Sequence, residues 1–257
     1  MKEDLAALAD RVAGLIAAAG KVVVFTGAGI STESGLPDFR SPGGIWERFD
    51  PEDFTYQKFV SDPAARAKHW RLLKDLSASV APNSAHYAIA ELYRLGRLDC
   101  VITQNVDNLQ QRAGLPAERV FELHGNMQSL LCLGCCRRYP FDDIKARLET
   151  EGVPDCPACG GILKPAVVFF GEPLPEDVLK EASRRARGSN LFIVVGSTLT
   201  VYPAAYLPDY ALAAGAKLVI VNLSATPLDS RADVVIRVRA GEAMAAIVAR
   251  LKERPAV

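Results

Sequence analysis

The chain alternates short, largely apolar runs with longer stretches whose apolar residues recur at helical spacing. The apolar runs lie at 21–26, 100–103, 191–195, 217–221 and 234–238. Runs that are apolar on both faces are typical of buried parallel strands. Helical periodicity precedes the first run and is found again at 83–96, 175–187, 204–215 and 241–253. This alternation predicts an α/β fold with a doubly wound, Rossmann-like parallel sheet.

Two segments interrupt the alternation. Residues 41–80 have no strand pattern, and we predict a helical module with loop and one or two helices there. Residues 127–163 are rich in cysteine and glycine, which indicates a small inserted metal-binding module. The remaining residues, 1–40, 81–126 and 164–257, are predicted to form the Rossmann-like domain.

The first apolar run ends in Gly27-Ala28-Gly29. A GxG after a strand lets the chain turn sharply and lets backbone N–H groups approach a phosphate. Thr32 stands where the third glycine of the dinucleotide fingerprint would be. The pattern alone therefore fits a tight connection as well as a phosphate loop.

Polar residues follow three other predicted strands, at 103–107, 196–197 and 222–224. Ligands of open α/β sheets bind at the carboxyl ends of strands, so these residues are predicted to share one site with the glycine turn. For any one of them, capping of the following helix is an equal alternative.

Four cysteines have the spacing of a zinc ribbon. They are Cys132, Cys135, Cys156 and Cys159, two CxxC pairs separated by 20 residues. Four thiolates fill the tetrahedron of Zn²⁺ and leave no open position, so we predict a structural zinc. Buried apolar cysteines are the alternative, and Cys136 is interpreted as a bystander.

The charge of the chain is balanced, with 30 basic and 30 acidic residues. Balance gives no reason to expect nucleic acid or an anionic membrane as a partner. The first residues are acidic rather than basic, and no apolar stretch suits a membrane span. We predict a cytoplasmic protein.

Only one of the three histidines is a candidate general base. His69 lies in a polar helical stretch and is predicted to be a solvated surface residue. His86 begins a helix, where packing or capping is expected. His124 ends a predicted strand beside a glycine, and the tunable pKa of imidazole suits it for proton transfer.

Together these motifs resemble those of the sirtuins, the NAD-dependent protein-lysine deacylases, along nearly the whole chain. The matching segments are 27–31, 35–40, 103–107, 123–125, the cysteine module, 167–172, 196–199 and 221–224. The resemblance implies removal of acetyl groups from protein lysines, giving nicotinamide, O-acyl-ADP-ribose and free lysine. It also implies NAD and Zn²⁺ as cofactors and acetyl-lysine proteins or peptides as partners.

The resemblance assigns roles to residues. His124 is the general base, Asn105 orients ribose and water, and Asp107 binds the carboxamide of nicotinamide. The implied NAD contacts are Gly27, Ala28, Gly29, Ile30, Glu33, Asp38, Phe39, Arg40, Gln104, Asn105, Val106, Asp107, Gly196, Ser197, Thr198, Asn222, Leu223, Ser224 and Ala240. The implied peptide contacts are Val168, Phe169, Gly171 and Tyr202, in a strand-pairing mode.

Two other functions stay open at this point. The first is a mono-ADP-ribosyltransferase on the same scaffold, and the second is a non-enzymatic binding module. His124 with an intact Gln-Asn-x-Asp segment favours the deacylase.

The acyl preference depends on the helix predicted at 62–74. Sirtuins that prefer succinyl or malonyl groups carry a Tyr-x-x-Arg pair there, because a buried carboxylate needs such partners. Here Leu73 follows Trp70 by three residues, and Arg66 and Arg71 are expected to be solvated. We predict an apolar acyl pocket that disfavours acidic acyl groups.

Overall fold

The computed structural model describes residues 4–76 and 80–254, and these form a parallel sheet flanked by helices. The strands are β1 (Val22–Thr26), β2 (Cys100–Thr103), β3 (Val120–Glu122), β4 (Gly125–Cys132), β5 (Arg138–Pro140), β6 (Leu163–Val167), β7 (Leu191–Val195), β8 (Lys217–Val221) and β9 (Val234–Ile236). The α-helices are α1 (Leu5–Ala18), α2 (Ile45–Arg48), α3 (Tyr56–Ser61), α4 (Pro63–Leu76), α5 (Ser84–Arg94), α6 (Leu109–Arg112), α7 (Phe141–Glu151), α8 (Glu176–Arg187), α9 (Leu207–Ala213) and α10 (Ala240–Lys252).

The main sheet has the strand order β3-β2-β1-β7-β8-β9, and all its pairings are parallel. Side chains alternate between its faces, as strand geometry requires. Val22 and Val24 pack in one core with α1, α5 and α10, while Val23 and Phe25 pack in a second core with α8 and α9. Strand order reverses direction between β1 and β7, which marks the point where such sheets bind ligands. The predicted fold class is confirmed.

The prediction that His86 packs or caps is confirmed at the start of α5. The Asn83 side chain accepts a hydrogen bond from the Ala85 N–H, and the His86 ring accepts one from the Asn83 N–H in a capping box. This arrangement satisfies backbone donors that have no partner inside the helix. The His86 ring is fully buried.

The segment 45–76 contains three α-helices, more than the one or two predicted. Short polar side chains start new helices inside it. Asp50 accepts a hydrogen bond from the Glu52 N–H at the beginning of a 3₁₀ turn, and Thr55 accepts one from the Lys58 N–H at the beginning of α3. Residues 77–79 of the predicted module lie outside the described residues.

The prediction that His69 is a solvated surface residue is wrong. The ring is 9% exposed and packs against Phe54, Phe59 and Phe169, with centroid distances of 4.7, 5.4 and 4.7 Å. Its Nε2 lies 2.5 Å from the Asp53 carbonyl oxygen, and this hydrogen bond makes burial tolerable. Burial lowers the pKa of His69, so the ring is neutral near pH 7.

A second sheet, antiparallel and ordered β5-β4-β6, holds the cysteine-rich segment together with α7. Its apolar core also receives Trp70 and Leu73 from α4. The second sheet and α7 therefore form an inserted module next to the helical segment. The domain boundaries given by the sequence stay a prediction.

None of the helices within residues 4–76 and 80–254 is long and apolar enough to cross a membrane. The cytoplasmic location stays a prediction.

Candidate active site

The glycines after β1 and β7 let two loops pack backbone against backbone. The Gly29 N–H donates to the Gly196 carbonyl at 2.9 Å. A Cβ at Gly29 would lie 2.9 Å from the Gly196 Cα, and one at Gly196, where φ is +66°, would lie 2.2 Å from the Ile30 nitrogen. Where two backbones approach this closely only glycine fits, because it has no Cβ. The GxG is thus needed for loop packing at the sheet's switch point, and its predicted contact with phosphate stays a prediction.

A buried hydroxyl joins the loop after β1 to the loop after β2. The Ser31 side chain donates to Asp107 Oδ2 at 2.7 Å and accepts from Asn105 Nδ2 at 3.1 Å. Ser31 is only 2% exposed. The other oxygen of Asp107 accepts the Leu109 N–H at the start of α6, so this aspartate also caps a helix. Sequence analysis missed Ser31, although it lies inside the glycine loop.

His124 is held by the backbone of Gln104. Its Nδ1 lies 2.9 Å from the Gln104 carbonyl oxygen, while the Gln104 side chain donates to Ser197 Oγ at 2.8 Å. A carbonyl only accepts, so Nδ1 carries the proton and Nε2 of the neutral ring is the basic nitrogen. Among the described residues, none forms a hydrogen bond with this Nε2. Burial lowers the pKa of His124, and the bond to Gln104 opposes that shift.

The segment after β6 runs from His124 to the helical module. The Val168 N–H donates to the His124 carbonyl at 2.9 Å. Two residues later, the Phe170 N–H donates to the Phe54 carbonyl at 3.0 Å and the Phe170 carbonyl accepts the Tyr56 N–H at 2.9 Å. The predicted peptide-binding residues Val168 and Phe169 therefore lie in an extended segment beside His124.

The polar residues after β8 lie next to the glycine turn after β7. The Gly196 N–H donates to the Val221 carbonyl at 2.9 Å. Asn222 donates from Nδ2 to the Ser224 carbonyl and hydroxyl at 2.9 and 3.1 Å, which fixes a tight turn. Leu223 is 63% exposed at that turn. The carboxyl ends of β1, β2, β7 and β8 thus bring together most predicted NAD residues, namely Gly27, Ala28, Gly29, Ile30, Gln104, Asn105, Val106, Asp107, Gly196, Ser197, Thr198, Asn222, Leu223 and Ser224.

The Glu33 carboxylate accepts a hydrogen bond at the N-terminus of α10. Its Oε2 accepts the Gly241 N–H at 2.7 Å, next to the buried Ala240. A carboxylate is stabilised there by the unpaired N–H groups and the helix dipole. Glu33 and Ala240 are therefore neighbours, and their predicted contact with NAD stays a prediction.

The Asp38 side chain forms hydrogen bonds within its own loop, and Tyr202 lies outside the hydrogen bonds described above. Asp38 Oδ1 accepts the N–H groups of Arg40 and Ser41 at 3.0 and 2.8 Å. The Phe39 ring packs on Trp46 at 5.1 Å. Tyr202 is 56% exposed and packs on Tyr206, and Gly171 is exposed with φ of +88°. Their predicted ligand contacts stay predictions.

The predicted zinc ligands form one compact cluster. Their sulfur atoms all lie within 4.8 Å of one another, with Cys132–Cys159 at 3.5 Å and Cys135–Cys156 at 3.7 Å. A tetrahedral site with Zn–S bonds of about 2.3 Å places sulfurs roughly 3.8 Å apart, so the donor set fits zinc. Cys136 is exposed and lies outside the cluster, as predicted.

Comparison with known proteins identifies the family. A family model described as the Sir2 family matches residues 27–203. The chain belongs to the Sir2 family. The Sir2 chain is 47% identical over 246 residues to NAD-dependent protein deacetylase 1 of Pyrobaculum aerophilum, covering 95% of this chain and 94% of the relative.

Two solved Sir2 structures resemble the chain along almost its whole length. One, solved to study the mechanism and regulation of Sir2 enzymes, has a TM-score of 0.90 and 44% identity, covering 96% of this chain and 98% of the other. A second, of Sir2 with a p53 peptide and NAD⁺, has a TM-score of 0.83 and 38% identity, covering 95% and 96%. The sirtuin resemblance of the sequence is confirmed.

Proposed function

We propose that this Sir2 chain is an NAD-dependent protein-lysine deacetylase, which moves the acetyl group of a lysine onto the ADP-ribose of NAD and releases nicotinamide. The observation that carries the proposal is the free Nε2 of His124, held in one tautomer by the Gln104 carbonyl. A similar relative bears the name of an NAD-dependent deacetylase, and a Sir2 structure contains a peptide and NAD⁺.

Each polar side chain of the site has a part in this reaction. NAD supplies the ribose carbon that accepts the acyl oxygen and the nicotinamide that leaves. His124 takes the proton of a ribose hydroxyl at Nε2. No described residue donates to the Asn105 amide oxygen, which is therefore available to a ribose hydroxyl or a water. Asp107 oxygens each receive one protein donor and keep capacity for the nicotinamide amide.

The segment 168–171 is proposed to pair with the substrate backbone. Val168 and Phe170 N–H groups are used inside the protein. Within the described residues, no group bonds to the Val168 carbonyl or to the Gly171 N–H, so both are available to a peptide strand. The partner is an acetyl-lysine protein or peptide. With 30 basic and 30 acidic residues, we propose no nucleic-acid or membrane partner.

The proposed acyl pocket offers no partner for an acidic acyl group. Trp70 and Leu73, at the positions of the Tyr-x-x-Arg pair, are 1% and 5% exposed in an apolar core. Arg66 donates to the Phe59 carbonyl at 2.9 Å, at the end of α3, and Arg71 is exposed. Neither arginine lies in the apolar core that holds Trp70 and Leu73.

We expect acetyl-lysine to be preferred over succinyl-lysine by about 2–3 kcal/mol, roughly 30- to 150-fold in kcat/KM, the scale of an unpaired carboxylate partly screened by water. The measurement compares kcat/KM for one peptide carrying either group. Equal or faster desuccinylation would contradict the pocket while leaving the NAD chemistry intact.

The pH profile should follow the lowered pKa of His124. A general base works deprotonated, and burial holds the pKa of His124 below its ordinary value of about 6.5. We expect the acid limb of kcat/KM to have its midpoint below about pH 6.5, with no loss of activity between about pH 7 and pH 8 from this group. An acid limb with its midpoint at about pH 7 or above would contradict this assignment.

Labelled NAD and an acetyl-lysine peptide test the proposal. If the proposal is correct, the label appears in free O-acetyl-ADP-ribose and the peptide loses its acetyl group. Label that stays on protein would support a mono-ADP-ribosyltransferase instead. Absence of turnover, with NAD bound, would support a binding module.

A further inference from the structure

A buried ion pair lies directly beneath the proposed peptide-binding segment, and the proposed mechanism does not use it. Lys164, on β6, has a side chain that is only 6% exposed, and its Nζ lies 2.8 Å from Glu172 Oε2. Lysine is almost never buried without a partner, because its charge loses hydration. The pair brackets the segment 165–171 at its two ends.

The ammonium of Lys164 contacts the inside of this segment. It donates to the Val167 carbonyl at 2.5 Å and lies 4.3 Å from the centroid of the Phe169 ring. A cation over a ring face is attracted by the ring's electron distribution, more strongly when both are desolvated. Lys164 therefore fixes one backbone carbonyl and the ring of one predicted substrate residue.

The carboxylate of Glu172 holds the other side of the same segment. Its Oε2 accepts the Phe169 N–H at 2.8 Å, and the Glu172 N–H donates to the Phe169 carbonyl at 3.0 Å. Both backbone groups of Phe169 are consequently tied to Glu172. Hydrogen bonds to a charged group are stronger than neutral ones, so this turn is held firmly.

These contacts decide which backbone groups remain for a peptide. The Val167 carbonyl and both groups of Phe169 are satisfied internally, whereas the Val168 carbonyl and Gly171 N–H have no partner in the part of the chain that the structure describes. Among the described residues, the hydrogen bonds and the ring contact of the two side chains involve none of the loops after β1, β2, β7 and β8.

We propose that Lys164 and Glu172 are positioning residues for the acyl-lysine peptide, fixing the segment 167–171 so that it presents the Val168 carbonyl and the Gly171 N–H. This inference rests on the proposed function. It predicts an effect on peptide binding that is separate from NAD binding, because the side-chain hydrogen bonds of the pair lie within the segment 164–172.

The test measures KM for an acetyl-lysine peptide and KM for NAD in Lys164→Met, in Glu172→Gln and in the double variant. Each single change should raise the peptide KM about tenfold or more, while KM for NAD stays within about twofold. The double variant should lose less than the product of the two single losses, because it leaves no unpaired buried charge. Glu172→Gln keeps the shape and an acceptor for the Phe169 N–H, so it remains informative if Lys164→Met does not fold.

Lys217→Met is the matched control. Lys217 forms an ion pair with Asp233 at 2.9 Å at the start of β8, with its side chain 61% exposed, and both KM values should stay unchanged. An unchanged peptide KM in folded Glu172→Gln, or an equal rise in both KM values, would overturn the inference. A wild-type chain without deacetylase activity would instead contradict the proposed function.

Discussion

Replacing His124 with alanine is expected to lower the rate of deacetylation by about 10²-fold or more, the scale of a lost general base. The ring is positioned by a hydrogen bond from Nδ1 to the Gln104 carbonyl, and its Nε2 has no hydrogen-bond partner within residues 4–76 and 80–254. Alanine removes the only basic nitrogen at this position. The measurement is single-turnover deacetylation of an acetyl-lysine peptide at saturating NAD.

The same variant should still bind NAD and still exchange labelled nicotinamide. In the proposed mechanism His124 acts after nicotinamide has left, so exchange should fall far less than deacetylation. Binding of ADP-ribose, followed by calorimetry, checks that the site remains intact. Deacetylation close to the wild-type rate would show that another residue takes the proton.

Replacing Cys156 with serine is expected to release the zinc and to destabilise the small antiparallel sheet. Wild-type protein should hold about one zinc per chain, because structural zinc sites contribute folding energy directly. We expect the loss of one ligand to cost about 3 kcal/mol or more, a fraction of the ~10–16 kcal/mol that zinc contributes in zinc-finger peptides. Trp70 and Leu73 share the core of this module, so α4 should loosen with it.

Metal analysis and thermal unfolding check this expectation, and Cys136→Ser is the matched control. Cys136 is exposed and lies outside the sulfur cluster, so its replacement should keep both zinc and Tm. A Cys156→Ser protein with full zinc and an unchanged Tm would rule out the assigned ligand set.

The main sheet could be predicted because its strands are buried on both faces. Val22 to Phe25 alternate between two cores, which makes an apolar run the only compatible pattern. The short helices α2 and α3 were not resolved by periodicity, since four to six residues contain too few turns. The side chain of Asp50 caps the 3₁₀ turn that follows α2, and the side chain of Thr55 caps α3; these are local signals that a periodicity search passes over.

The cysteine cluster could be predicted from spacing, because CxxC pairs bring ligands to one metal by local geometry. His69 could not be placed correctly. Its helix is polar in sequence, and only the tertiary contacts with Phe59 and Phe169 show that the ring is buried. A buried imidazole whose hydrogen bond is satisfied packs like an aromatic core residue. The residue type alone does not indicate this.

The roles of the glycines and Ser31 depend on contacts between residues that are far apart in the sequence. The need for glycine at Gly29 comes from Gly196, a residue on a distant strand, and is invisible without the pairing of β1 and β7. Ser31 gains its importance from Asn105 and Asp107, which belong to the loop after β2. Lys164 and Glu172 likewise meet only after the segment between them folds back.

The most direct test of NAD-dependent acyl transfer follows the acetyl group itself. A peptide with a ¹³C-labelled acetyl-lysine is incubated with the protein and NAD, and the products are separated by mass. We predict that the label appears as an ester of ADP-ribose, in equal amounts with nicotinamide and free lysine peptide. Label recovered at once as free acetate, with NAD unconsumed, would contradict the account.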